Sequence, residues 1–205
     1  MQTISLTCHA ATASAAIDRI EVQLLCPSGA ALELRYTVFG AVDRLLIPTE
    51  SPPRRADKLW QHTCFEAFVA VGASYYEFNF SPSTEWAVYR FSAYRAGMTV
   101  AEATPPRIGS HRDEGCFALD AAIDLDSLPE LRASGGSRLG LSAVIEDTQQ
   151  RISYWALAHP AGKPDFHHAD GFALKLPAHP DPRIKLGADS PSRGEDGNGG
   201  GGNRR

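Results

Sequence analysis

Two neighbouring stretches carry the strongest structural signal in the chain: Leu59-Trp60-Gln61-His62-Thr63-Cys64-Phe65-Glu66-Ala67-Phe68-Val69 and Tyr75-Tyr76-Glu77-Phe78-Asn79-Phe80. In both, polar and apolar residues alternate, as is typical of β-strands that bury one face. A short segment, Val71-Gly72-Ala73-Ser74, separates them and predicts a turn. We therefore predict an antiparallel hairpin over 62–70 and 75–80, and a third strand over 85–92 that returns after Ser81-Pro82-Ser83-Thr84.

Alternate residues of each predicted strand point to opposite faces of the sheet. One face is apolar and is expected to face a core: Phe65, Ala67, Val69, Tyr76, Phe78, Phe80, Tyr89 and Phe91. The other face mixes polar and aromatic residues: His62, Glu66, Tyr75, Glu77, Asn79, Trp86 and Arg90. In this register Glu66, Asn79 and Trp86 lie side by side across three strands, and Arg90 lies within diagonal reach of Glu77.

Alternation with period two recurs between about residues 18 and 185, for example in Ile20–Leu24, Leu32–Val38 and Leu139–Ile145. Only residues 125–131 indicate a helical turn. Many short strands with turns between them predict an all-β fold, an antiparallel β-sandwich. From about Gly187 the chain is rich in Gly, Ser, Asp and Asn, so we predict one domain over 1–186 and a disordered tail over 187–205.

Composition excludes several classes of protein. The 205 residues include 20 Lys and Arg against 24 Asp and Glu, a formal net charge of −4, which argues against a nucleic-acid-binding protein. No apolar run approaches the roughly 18 residues that span a bilayer, so no membrane partner is predicted. The start of the chain lacks a secretory pattern, and the four cysteines form no C-x-x-C pair. These features favour a cytoplasmic protein with reduced thiols.

The polar and aromatic face has the chemistry of a sugar site. Carboxylate and amide groups bind vicinal hydroxyls, and an aromatic ring stacks on the C–H side of a pyranose. A second interpretation remains open at this point, in which the face is exposed to solvent, Glu77 and Arg90 form a weak cross-strand pair, and Trp86 covers neighbouring strands.

The stretch Leu59–Val69, followed by Tyr75–Pro82 and Trp86–Tyr89, resembles the DOMON-like superfamily, in the branch related to family 9 carbohydrate-binding modules. A looser match continues through Tyr154–Pro160 and Lys163–His167 to about residue 176. The resemblance implies an antiparallel β-sandwich that binds a ligand, a sugar or in other branches haem, without catalysis. His62-Thr63 stands where many of these modules carry acidic residues, some of which bind calcium, so we predict no metal. The residues that fall on the ligand-lining strands are Trp60, Glu66, Glu77, Asn79 and Trp86.

Three further interpretations concern the loops and the carboxylates. Lys163, Asp165 and His167 lie in a Pro-containing loop, where they either contact the ligand or shape the loop. Haem would need Met98 together with one of the histidines His62, His111, His159, His167 and His168. A glycoside-acting enzyme would use Glu66 and Glu77, about 5–8 Å apart by sheet geometry.

We predict a non-catalytic module without a cofactor, which binds a sugar or a sugar-containing small molecule, with its oligomeric state left open. No phosphate-binding loop, dinucleotide-binding fingerprint or G-x-S-x-G motif occurs in the sequence.

Overall fold

A computed structural model of the protein describes residues 2–25, 31–132 and 136–176. The predicted tail over 187–205, and the end of the predicted domain beyond residue 176, lie outside the described residues. Within them the secondary structure is mainly β. The strands are β1 (Gln2–Cys8), β2 (Ile17–Leu25), β3 (Ala31–Gly40), β4 (Cys64–Val71), β5 (Ser74–Phe80), β6 (Trp86–Phe91), β7 (Thr99–Val100), β8 (Arg107–Asp113), β9 (Cys116–Asp124), β10 (Ser137–Glu146), β11 (Ile152–Ala156) and β12 (Leu174–Leu176).

Helical structure is confined to short segments in the described part of the chain. One α-helical turn, α1 (Pro129–Arg132), follows a 3-10 turn at Leu125–Ser127, which confirms the helical turn predicted there. Further 3-10 turns lie at Ala10–Thr12, Val42–Arg44, Leu59–Gln61 and Ala169–Gly171. None of the helices in the ranges that the structure describes has the length and apolar character needed to cross a membrane.

The strands form two antiparallel sheets that share β1. The first sheet has the order β1–β2–β3–β9–β8, and the second has the order β7–β6–β5–β4–β10–β11, with β12 also paired to β10. Residues 2–6 of β1 pair with β2, whereas Thr7 and Cys8 pair with β11. One strand therefore continues from the first sheet into the second.

The main core lies between the two sheets and confirms the predicted sandwich. Tyr36 on β3 is fully buried, and its hydroxyl donates a hydrogen bond across the core to the carbonyl of Glu66 at 2.7 Å. A buried polar group needs such a partner, because an unsatisfied one would cost about 1–3 kcal/mol. The first sheet contributes Ile20, Val22, Leu32, Leu34, Val38 and Leu119 to this core, and the second contributes Phe65, Ala67, Val69, Phe78, Phe80, Leu139, Leu141 and Ile145.

The hairpin predicted over β4 and β5 is confirmed, with Glu66 opposite Asn79. The register predicted for β6 is wrong by one residue: Phe80, not Asn79, lies opposite Trp86, and Glu77 lies opposite Tyr89. The connecting loop explains the shift. It extends to Glu85, whose carbonyl accepts a hydrogen bond from the Ser81 amide at 2.9 Å, and Thr84 adopts a left-handed conformation at φ 70°.

A shift of one residue moves every side chain of a strand to the opposite face. Trp86 therefore packs against the main core, and Arg90 points to the same side, where it forms an ion pair with Glu130 at 2.8 Å instead of approaching Glu77. Tyr89 and Phe91, which were predicted to face the core, lie on the outer face of the second sheet.

Candidate functional site

The outer face of the second sheet carries a second apolar cluster instead of a solvated surface. Phe68 on β4 stacks on Phe172 with ring centroids 5.9 Å apart, and Phe172 belongs to the segment that joins β11 to β12. We call this segment, residues 157–173, the covering loop. It approaches the sheet closely because Gly140 has no side chain, since a Cβ there would lie 2.7 Å from a ring carbon of Phe172. The buried members of the cluster are Phe68, Tyr75, Ala87, Tyr89, Phe91 and Phe172.

A pocket of about 470 Å³ opens between this face and the loops around it. Its floor comes from β4, β5, β6 and β10, and its walls from β11, the 3-10 turn at Leu59–Gln61, the loop after β6 and the covering loop. The lining residues are Trp60, Glu66, Phe68, Glu77, Tyr89, Phe91, Arg95, Met98, Val144, Tyr154, Pro164, Phe166 and His167.

Two buried carboxyl groups lie at the floor of the pocket. Glu66 is 2% exposed and Glu77 is 5% exposed, and both side chains project from the same face of adjacent strands. The Ser142 hydroxyl donates to Glu66 Oε2 at 3.0 Å, and the Asn79 amide donates to Glu77 Oε1 at 2.7 Å. Burial raises the pKa of both carboxyls, and the charge of Glu77 raises the pKa of Glu66 further, although the two hydrogen bonds oppose these shifts.

His167 extends from the covering loop to the edge of this floor. Its Nε2 lies 3.8 Å from Glu77 Oε2, and its Nδ1 lies 2.8 Å from the Tyr75 hydroxyl. The ring makes edge contacts with Phe68 and Phe91, at centroid distances of 5.4 and 5.1 Å. Burial among these rings, together with the charge of Arg95, lowers the pKa of His167 to about 4. At neutral pH the imidazole is therefore uncharged.

Arg95 brings a guanidinium to the pocket from the loop after β6. Asp165 of the covering loop holds it at 2.7 Å, and the Tyr94 hydroxyl donates a hydrogen bond to the same carboxylate. Partial burial raises the pKa of Asp165, but the hydrogen bonds from Tyr94 and Arg95 outweigh it and leave the pKa lowered. The charge of Arg95 is thus balanced by Asp165, and the pair joins two loops beside the pocket.

Aromatic rings form most of the walls. Trp60 is 37% exposed and meets Tyr89 edge-on, with centroids 6.0 Å apart. The Tyr89 hydroxyl donates to Asp57, which fixes that ring from the far end. Tyr154 and Phe166 meet edge-on at 5.9 Å on another side of the pocket. A ligand in this pocket could therefore contact aromatic rings on the walls and polar groups on the floor at the same time.

The predicted site residues fall into three groups. Trp60, Glu66, Glu77 and His167 line the pocket together. Tyr75, Asn79 and Asp165 are absent from the lining and instead hold His167, Glu77 and Arg95 in place. The remaining four lie elsewhere: His62 pairs with Glu146 at 2.8 Å, Trp86 and Arg90 occupy the opposite face of the sheet, and Lys163 does not line the pocket.

Sequence reasoning missed several lining residues. Tyr89 and Phe91 would have been included with the correct register of β6, and Phe68 follows Glu66 at period two on the same strand. Arg95 lies in a loop, where no periodicity identifies a residue that lines a site, and Met98 in the same loop was considered only as a haem ligand. Val144 and Tyr154 come from distant strands, whereas Pro164 and Phe166 lie between the predicted loop residues Lys163, Asp165 and His167.

The haem interpretation can be tested against the geometry of its proposed ligands. Met98 and His167 both line the pocket, but Nδ1 of His167 contacts the Tyr75 hydroxyl and Nε2 faces the buried carboxyl of Glu77. A histidine that binds haem iron must present a ring nitrogen to it, and both ring nitrogens of His167 face other side chains, so His167 does not fit this role. No group of three or more His, Cys, Asp or Glu side chains in the described ranges is arranged to hold a metal ion.

Comparisons with known proteins give a likeness in structure only. No family model matches the chain, and no curated protein matches it by sequence. A solved structure of a putative carbohydrate-binding protein from Bacteroides uniformis is similar at 13% identity with a TM-score of 0.53, over 83% of this chain and 84% of that one. A family 9 carbohydrate-binding module from Caldicellulosiruptor kristjanssonii in complex with cellotriose has 10% identity and a TM-score of 0.46, over 78% and 74% of the two chains.

At 13% identity the first of these likenesses shows a shared fold, the β-sandwich. The fold expected from the sequence is thereby supported by an independent structure. The assignment to the DOMON-like superfamily stays a prediction.

Proposed function

We propose that the protein is a non-catalytic module that binds a carbohydrate, or a small molecule containing a sugar, in the pocket on the second sheet. The observation that carries this proposal is the combination, in one pocket, of ring surfaces on the walls and hydrogen-bonding groups on the floor. Sugars present the complementary surfaces, because a pyranose has apolar C–H faces and a rim of hydroxyl groups.

The size and the rigidity of the pocket support the same proposal. Its volume of about 470 Å³ falls within the range of roughly 300–1,000 Å³ that is usual for small-molecule sites. Asn79 holds Glu77, and Ser142 holds Glu66, before any ligand arrives. Such positioning reduces the entropy lost on binding, which otherwise weakens affinity.

Of the two roles open to this carboxyl pair, binding and hydrolysis, we propose binding. Glycoside cleavage uses two carboxyl groups that flank the scissile bond. Here Glu66 and Glu77 lie beside each other on one sheet face, and both are almost fully buried. The name given to the similar Bacteroides uniformis protein, a putative carbohydrate-binding protein, agrees with a binding role.

Isothermal titration calorimetry against a panel of mono- and disaccharides tests the proposal. We expect saturable binding, weakened about tenfold in Trp60→Ala, because a stacked aromatic ring contributes roughly 1 kcal/mol or more. Leu25→Ala is the matched control, since Leu25 is also a large, exposed apolar residue but lies on the first sheet. The sugars should be recovered unhydrolysed. Absence of binding across the panel, or binding that Trp60→Ala leaves unchanged, would contradict the proposal.

A further inference from the structure

The two carboxyls at the pocket floor lack a cationic partner in the described part of the chain. No Lys or Arg there forms an ion pair with Glu66 or Glu77. Arg95 is the cation that lines the pocket; its charge partly offsets the rise that burial causes in the pKa of Glu77, but its ion pair is formed with Asp165 at 2.7 Å. His167 comes within 3.8 Å of Glu77, but burial and Arg95 keep it uncharged at neutral pH.

Another buried carboxylate of this protein, Asp147, does have a cationic partner. Asp147 is 3% exposed and forms an ion pair with Arg151 at 2.7 Å. Burying a carboxyl without such a partner is costly, since the group loses its hydration and gains no counter-charge. A floor that retains two of them, open to a pocket, suggests that the counter-charge is supplied from outside the chain.

The walls favour a cation for an independent reason. The faces of aromatic rings carry negative electrostatic potential and attract ammonium groups within about 6 Å of the ring centre. Beside the two carboxyls, the pocket is lined by Trp60, Phe68, Tyr89, Phe91, Tyr154 and Phe166.

We propose that the preferred ligand class is a cationic amino sugar, whose ammonium group binds at Glu66 and Glu77 while its ring lies against the aromatic walls. This inference rests on the proposed function and specifies its ligand. The ammonium group donates hydrogen bonds to the carboxyl oxygens and stabilises their ionised form, which burial alone disfavours by raising the pKa of both groups. A neutral sugar offers only hydroxyl donors at the same place.

Titration calorimetry with three matched sugars tests the inference: glucosamine, N-acetylglucosamine and glucose. At about pH 6 the free amine of glucosamine is protonated, whereas the acetylated nitrogen is neutral. We expect glucosamine to bind at least tenfold more tightly than either neutral sugar, the scale of one charge-assisted hydrogen bond.

Substitutions at Glu66 and Glu77 test whether the preference for glucosamine depends on these two carboxyls. In the double variant Glu66→Gln/Glu77→Gln the advantage of glucosamine over glucose should disappear, although each amide can still accept the hydrogen bond from Ser142 or Asn79. Glu146→Gln is the matched control, because Glu146 is a buried carboxyl of the same sheet that does not line the pocket. It should keep the preference.

The outcomes separate this inference from the proposed function. If glucose or N-acetylglucosamine binds as tightly as glucosamine, the sugar site stands and the cationic ligand is wrong. The inference is also wrong if the double variant keeps the tenfold preference. If none of the three sugars binds, and the wider panel does not bind either, both proposals fail.

Discussion

The outer faces of the two sheets carry similar sequence patterns but have different environments. On the first sheet, Arg35 lies opposite Asp120 and bonds it at 2.6 Å, with both side chains nearly half exposed. On the second sheet, Glu66 lies opposite Asn79, and both are buried. In each case polar residues alternate with core residues along a strand.

The difference comes from what lies over each face. The covering loop and the loops beside it pack over the second sheet, so its polar residues lie in surroundings of low dielectric constant. There a charged group is costly to bury, and hydrogen bonds are stronger than in water. The ion pairs of the first sheet remain in water and are worth little. Alternation therefore identifies the outer face of a sheet, and distant segments determine whether that face can form a site.

The largest expected effect concerns the covering loop itself. Phe172→Ala removes a ring that stacks on Phe68 and contacts Tyr75, and we expect it to lower the free energy of unfolding by about 3–5 kcal/mol. Chemical denaturation measures this. Arg35→Ala, on the exposed face, serves as the control and should cost no more than about 1 kcal/mol. Similar small losses at both positions would show that the covered face is not a second core.

A smaller effect should appear as a pH dependence at His167. Its pKa of about 4 in the folded protein lies below the usual 6.5, so the unfolded chain takes up the proton first as the pH falls. The folded state should therefore lose on the order of 3 kcal/mol between pH 6.5 and pH 4 through this residue. His167→Asn lacks this titration.

Denaturation of wild type and His167→Asn at several pH values provides the measurement. The stability advantage of the wild type over the variant should shrink as the pH falls through this window. If the difference in unfolding free energy between wild type and variant stays constant from pH 7 to pH 4, His167 has the same pKa in the folded and unfolded states. The covered face would then be accessible to solvent.

The smallest effect is expected on the exposed face. A double-mutant cycle on Arg35 and Asp120, with alanine at each position, should give a coupling energy of at most about 1 kcal/mol. Added salt should reduce it, because charges in water are screened. A coupling energy above about 2 kcal/mol that is unchanged in 1 M salt would contradict the view that the ion pairs of the first sheet are solvated, in contrast to the buried polar groups of the second.

Much of the fold could be predicted from the sequence because local rules determine it. The hairpin of β4 and β5 turns at Gly72 and Ala73, where Gly72 adopts φ 61°, and this short turn fixes Glu66 opposite Asn79. The next connection is longer, and the left-handed Thr84 within it has no clear signature in sequence. Because the prediction ended this loop one residue too early, it assigned Trp86 and Arg90 to the outer face of the sheet instead of the core side.

The site was harder to predict than the fold because distant segments build it. Trp60, Glu66 and Glu77 lie on or beside the predicted hairpin, where the alternation identifies them. Arg95 adopts a left-handed conformation at φ 50° in a loop, and Tyr154 comes from another part of the chain. Glu66 and Glu77 are buried because distant loops pack over their face of the sheet. The alternation of residues along a strand gives no information about such packing.

The strand that the two sheets share has a consequence for how the chain folds. Thr7 pairs with Ala156 across most of the sequence, while Ile4 pairs with the nearby Val22. Contacts between residues so far apart form late, since closing a long loop costs entropy before the pairing repays it. During synthesis we therefore expect the first part of β1 to pair with β2 early, and its last two residues to pair only after β11 has left the ribosome.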